Sequence, residues 1–95
     1  MARGGVRKAV SPRLIESEYD AFLALVGDDP EFPANHMQWG ERMSNEDAKR
    51  RADGFVVQEV VVHAEEFAHW CEGSGVDPGF NTLCAFAVAK GRGNR

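Results

Sequence analysis

Phe55–Val62 reads FVVQEVVV, and this stretch decides the fold. Its β-branched residues suit a pleated, half-buried surface. Gln58 and Glu59 interrupt what would otherwise be an apolar run on both faces. No other segment of the chain has the same quality, yet the N–H and C=O groups of a strand need partners. Two are open: the weaker segment Gly5–Val10 of the same chain, or the same strand in a second copy. The second copy is the expected partner, which makes Val57, Glu59 and Val61 the candidate dimer strand.

On either side of this strand the punctuation is helical. Upstream, Ser11 is placed as an N-cap and Pro12 at the first helical position. Ile15, Tyr19, Phe22 and Val26 then share a face, and Gly27 follows as the C′ residue. GDDPEFPAN is a loop, since its prolines forbid a continuous helix. From Asn35 or His36 to Asp53 the pattern predicts a second helix, weakened at Gly40, with Ser44 and Asp47 as an alternative start. Its Glu46/Arg50 and Asp47/Arg51 pairs stand four apart, an order that supports an exposed helix.

Downstream, Ala64–Glu72 predicts a short helix with Ala64, Phe67, Ala68 and Cys71 on one face, ended by Gly73 or Gly75. Asp77 then reads as the cap of a last helix, with Pro78 at its first position, running to about Lys90. Phe80, Leu83, Cys84 and Ala87 form one of its faces, but Ala85, Phe86, Val88 and Ala89 leave little polar side. A helix apolar nearly all round is covered on several sides, and in a small protein a second chain is the natural cover.

At 95 residues the chain has room for one domain with a single core. A hydrophobic fraction of 43% with 27% charged residues excludes wholesale disorder. No run of 18 apolar residues exists, which argues against a membrane-spanning helix. The positive N-terminus lacks the apolar region of a signal peptide, so a cytoplasmic location is expected. Arg3, Arg7, Lys8 and Arg13 at one end and Lys90, Arg92 and Arg95 at the other carry seven positive charges. The body from 14 to 89 holds all fifteen acids against four bases, a net −11. Such a body repels a phosphate backbone and leaves only the tails, expected to be flexible over 1–10 and 91–95, to attract one.

The residues that carry chemistry do not assemble into a signature. Cys71 and Cys84 lack CxxC spacing and read as small buried hydrophobes whose thiols are inert. His63, Glu65, Glu66, His69, Cys71 and Glu72 are of metal-ligating types. On a helix, however, His63 and His69 stand about 120° apart, and Cys71 is turned about 160° from His69. At most His69 with Glu65 or Glu66 makes a two-ligand corner. No nucleophile–base motif, GxGxxG or P-loop occurs. The expectation is therefore no catalytic residue, no metal and no cofactor.

The order of strand 55–62, helix 64–72 and helix 78–90 resembles that of the ribbon-helix-helix regulators. That resemblance implies a strand-paired dimer whose ribbon enters the DNA major groove. It covers about 36 residues by order and spacing, and departs from the family at the strand, which offers Gln58 and an acidic Glu59 where Arg, Lys, Asn or Gln are typical. A helix-turn-helix reading leaves only Asn81 and Thr82 as base readers. YDAFLALVGDD, QWGERMSNEDAKRRADG and FAHWCEGSGVDP are also similar to segments of small bacterial proteins to which no function is attached.

Together these readings predict a mainly helical α+β domain of about four helices and one principal strand, homodimeric and cytoplasmic. The expected role is that of a non-catalytic interaction or regulatory adaptor, with DNA-binding regulation as the alternative. Trp39, Trp70 and Phe86 are the candidate surface for an unidentified protein partner, since tryptophan and other aromatic residues recur at binding hot spots.

Overall fold

The structure, a computed structural model, describes residues 7–93. Its elements run β1 (Lys8–Leu14), α1 (Tyr19–Val26), α2 (His36–Ala52), β2 (Val56–Val62), α3 (Ala64–Ser74) and α4 (Phe80–Gly93). The class is α+β and mainly helical, with four helices around a two-stranded sheet.

The principal strand finds its partner inside the chain. β2 pairs in parallel with β1, from Lys8 opposite Val56 to Leu14 opposite Val62. This corrects two expectations. Ser11 and Pro12 belong to a strand and do not start a helix; α1 begins only at Tyr19, after a turn of 3-10 helix over Glu16–Glu18. The weak partner extends to Leu14 and does not stop at Val10, while Gly5 and Val6 lie outside the described residues. Residues 8–10, expected in a flexible tail, are therefore sheet. At the other end α4 continues through Gly93, so residues 91–93 are helical, with 94–95 outside the described residues.

Pro12 is tolerated for a stereochemical reason. The N–H of Val56 donates to the carbonyl of Arg7 at 2.8 Å. In a parallel ladder, alternate residues turn both backbone groups to the same neighbour. Residues 56, 58, 60 and 62 thus face β1, and residues 7, 9, 11 and 13 face β2. Pro12 falls on the outward-facing set, where no ladder donor is needed. Ser11, 5% exposed, uses its hydroxyl to donate to Asp47 Oδ2 at 3.1 Å in place of capping a helix.

Helices cover both faces of the sheet, as parallel strands require. α2 runs back along the face bearing Ser11, Arg13, Glu59 and Val61, with His36 near Leu14 and Asp47 near Ser11. It is one uninterrupted helix: Asn35 caps it by accepting the Gln38 N–H at 2.9 Å, and no new start occurs at Ser44. α4 lies on the other face so closely that a Cβ at Gly91 would stand 3.1 Å from Val60 Cγ2. α1 and α3 close the remaining side, α1 ending at Gly27, whose φ of 62° suits glycine.

One core joins these layers. Tyr19, Phe32, Trp39 and Phe80 form an aromatic group with ring centroids 5.1 to 6.4 Å apart. Phe22, Phe67 and Phe86 form a second, at 5.9 and 6.1 Å. Trp39 is 2% and Phe86 8% exposed, which corrects their expected place on a partner-facing surface. The aromatic rings around each take the area that a partner would have covered. Trp70, half-buried, rests on Phe86 at 5.2 Å. α4 is less covered than its composition suggests: Ala85, Val88 and Ala89 are exposed.

Remote carboxylates cap the last two helices. Asp77 was expected to cap α4, but Asp29 Oδ2 takes the Phe80 N–H at 2.7 Å while Asp29 Oδ1 takes that of Glu31 at 2.9 Å. Glu18 Oε1 accepts from the Ala64 N–H at 3.1 Å at the start of α3. There Glu66 also accepts the His63 N–H, at 2.8 Å. Both arrangements place negative charge at the positive end of a helix dipole. Of the exposed pairs expected on α2, neither Glu46/Arg50 nor Asp47/Arg51 is an ion pair. The described ion pairs are Arg13–Glu59, Arg42–Glu31 and Lys90–Glu66, and the His63 ring lies within hydrogen-bond reach of Glu18 at 3.1 Å.

Candidate functional site

With one edge of β2 used by β1, the other edge remains. By the alternation of the ladder, Val57, Glu59 and Val61 turn their backbone N–H and C=O groups outward. Val61 is 40% exposed and the neighbouring Val56 52%. Among the described residues, the outward groups of Val57 and Glu59 have no partner. An open strand edge of this kind is a template for adding another strand.

The edge is closed at both ends from within. Lys90 of α4 donates from Nζ to the Val61 carbonyl at 2.7 Å and also pairs with Glu66. The Phe55 N–H donates to the Arg50 carbonyl at 2.9 Å, and the Arg7 guanidinium lies 4.4 Å over the Phe55 ring. The free backbone of β2 is thus confined to a short central segment about Gln58. Edge β1 differs: it carries Pro12, and the Leu14 carbonyl there lies 2.8 Å from His36 Nε2.

Beside β2, α2 leaves a cleft of about 490 Å³. Small residues make the room: nothing lies within 4 Å of a Cβ built on Gly40, and Ser44 follows one turn later. Ile15 and Val61 supply exposed apolar surface, 39% and 40%. Asp47 and Arg51 rim the cleft from α2, and Arg13 meets Glu59 at 2.6 Å on the sheet side. Opposite charges alternate along this wall.

The candidate dimer residues Val57, Glu59 and Val61 therefore come together on one accessible edge. Trp39 contributes only the floor of the cleft, and Trp70 and Phe86 sit elsewhere on the α3–α4 side. Lys90, Arg13 and Asp47 escaped the sequence reading. Their roles depend on contacts between residues 24 to 46 positions apart.

His63, Glu65, Glu66, His69, Cys71 and Glu72 do not converge. Among the described residues no group of three or more His, Cys, Asp or Glu side chains is placed to hold a metal. His63 turns to Glu18 at 3.1 Å, and Cys71 is buried. Burial pushes the thiols of Cys71 and Cys84 upward, which suppresses the reactive thiolate. Within the described residues no helix is long and apolar enough to cross a membrane.

The capping carboxylates are held below their usual range. For Glu18 the Ala64 N–H is the main cause, with the His63 ring adding to it. For Asp29 the causes are the Phe80 and then the Glu31 N–H. Burial pushes Glu66 up, but Lys90 and the His63 N–H together outweigh it. A carboxyl with a lowered pKa in the folded state contributes stability above its unfolded value and loses it as pH falls through the folded one. The thermal midpoint is expected to hold from neutrality to about pH 5 and to fall progressively below about pH 4. An Asp29→Asn/Glu18→Gln variant should begin lower and respond less steeply; a parallel curve would show that these two groups do not control the acid limb.

Comparison with protein families, curated proteins and solved structures gives no match for this chain, and function has to be argued from the geometry.

Proposed function

We propose that the protein is a non-catalytic interaction or regulatory adaptor that works as a homodimer joined through β2. The carrying observation is the open central edge of that strand, where the backbone groups of Val57 and Glu59 face outward without partners among the described residues. The wall beside it supports a second copy of the same chain. A two-fold contact places a surface against itself, and alternating charges such as Arg13, Glu59, Asp47 and Arg51 are self-complementary in a way that a single-sign patch is not.

A DNA-binding role has no comparable support. Gln58 turns toward α4, near Gly91, and Glu59 is tied to Arg13, so neither base-reading group of the strand points to a groove-binding surface.

Light scattering after size exclusion should report about twice the 10.5 kDa mass at micromolar concentration. Val57→Pro deletes only an outward N–H, a change that an edge strand tolerates, and should return the protein to one chain per particle with its fold intact by circular dichroism. A wild-type protein of monomer mass would end the dimer reading.

A further inference from the structure

The limits of the open edge specify more than the existence of a dimer; they specify its register. We infer that a second copy adds antiparallel to β2 about a two-fold axis at Gln58, giving a four-stranded sheet ordered β1–β2–β2–β1. This rests on the homodimer reading above and goes beyond it by fixing which residues meet.

Three observations select Gln58 over its neighbours. The first is backbone supply. The Val61 carbonyl is engaged by Lys90 and the Phe55 N–H by Arg50, so the free groups are centred between Val57 and Glu59. An axis at Gln58 sets Val57 opposite the second copy's Glu59, and Glu59 opposite its Val57. Each such pair exchanges two hydrogen bonds, and the ladder ends where the internal contacts begin. An axis at Val60 would instead carry Val57 to the second copy's His63, whose N–H already serves Glu66 at the start of α3.

The second is apolar cover. With the axis at Gln58, Val56 faces the second copy's Val60, and Phe55 faces its Val61. These contacts cover the two exposed valines of the strand, Val56 at 52% and Val61 at 40%. Valine–valine and aromatic–valine neighbours are favourable across antiparallel strands. Val60 is itself buried at 8%, as Val62 is at 0%, so the apolar gain that sets Gln58 apart from Glu59 is the Phe55–Val61 pair, where an axis at Glu59 would set Phe55 opposite His63.

The third is charge. An axis at Glu59 sets two carboxylates directly opposite each other, which is destabilising. At Gln58 the two glutamates lie one residue to either side of the axis, offset from each other by two residues along the strands, and each keeps its own Arg13 at 2.6 Å. Gln58 meets Gln58, and amides can donate and accept reciprocally.

The arrangement also completes the cleft. A two-fold normal to the sheet keeps both α2 helices on one side, so the flank of each cleft that is open at β2 is bounded by the other copy's strand. Phe55 and Val57 of each copy then face the trough between the two α2 helices.

Cysteine cross-linking in the full chain, with Cys84→Ser to remove the half-exposed thiol, tests this register. Gln58→Cys places two thiols at a non-hydrogen-bonded pair, with Cα atoms about 4.5 Å apart, within disulfide reach. Glu59→Cys places them about 8 Å apart by strand rise and spacing, beyond that reach. Under mild oxidation Gln58→Cys should run mostly as a covalent dimer, and Glu59→Cys should remain uncross-linked. A wild-type dimer in which Glu59→Cys cross-links and Gln58→Cys does not, or in which neither does, would overturn the register and leave the homodimer standing. A wild-type monomer would remove both.

Discussion

Phe67→Ala is expected to cost about 4 kcal/mol of folding stability, the largest effect of any single change considered. Phe67 has no exposed surface. It sits between Phe22 at 6.1 Å and Phe86 at 5.9 Å, so it ties α3 to both α1 and α4. Rigid rings on both sides cannot collapse into the space left, and the cavity adds to the lost transfer free energy. A domain of this size has about 5–15 kcal/mol in all, so the variant should unfold at a much lower urea midpoint. A loss under about 1 kcal/mol would show that the three-ring contact is not what joins these helices.

Asp29→Ala should cost about 2 kcal/mol, because one carboxylate serves two backbone donors in separate segments. The Leu83 N–H donates to the Gly79 carbonyl at 2.9 Å, which makes Gly79 the N-cap of α4. Glycine has no side-chain oxygen to offer, and Asp29 supplies one from the loop after α1. The same loop is held from α2 by Arg42, which reaches the Glu31 carbonyl and lies 3.9 Å over the Phe80 ring. Hydrogen exchange should show the Phe80 amide losing protection in the variant while amides of β2 keep theirs. Equal loss everywhere would mean that the cap stabilises the fold without any local effect on α4.

The contrast between Asp29 and the expected cap Asp77 shows where sequence stops being informative. Asp77–Pro78 has the local form of a helix start, and the helix does begin just beyond it. What the pattern cannot contain is a carboxylate 51 residues away that performs the function better. Elements bounded by their own residues were legible: Asn35 before α2, Gly27 after α1, Gly75 after α3 and the β-branched run of β2. The helical class followed from them.

β1 was legible only in part: Lys8–Val10 fell in the weak segment named as a partner, whereas Ser11–Leu14 did not, and the reason is specific. Ser-Pro before an apolar stretch is equally the opening of a helix and, with the proline nitrogen turned outward, a stretch of edge strand. Only the partner decides, and register with β2 spans 48 positions. The candidate edge divides in the same way. Val57, Glu59 and Val61 could be named from the strand alone, since their alternation sets one side against the other. The ends of the open segment could not, because Lys90 and Arg50 belong to α4 and α2.

Pro12 carries a last consequence for assembly. A sheet edge that recruits another chain recruits indefinitely unless something stops it, and an endless ladder of strands is a fibre. In this protein the two edges are unequal: β2 has donors to offer, whereas β1 is blunted by a residue that has no N–H and by the His36 ring lying against the Leu14 carbonyl. Joining two copies through β2 leaves a proline-bearing strand at each outer border. The sheet is thereby self-terminating, the more so because Pro12 is itself buried beside Met43, Glu46 and Arg50 of α2 and Phe80 and Cys84 of α4.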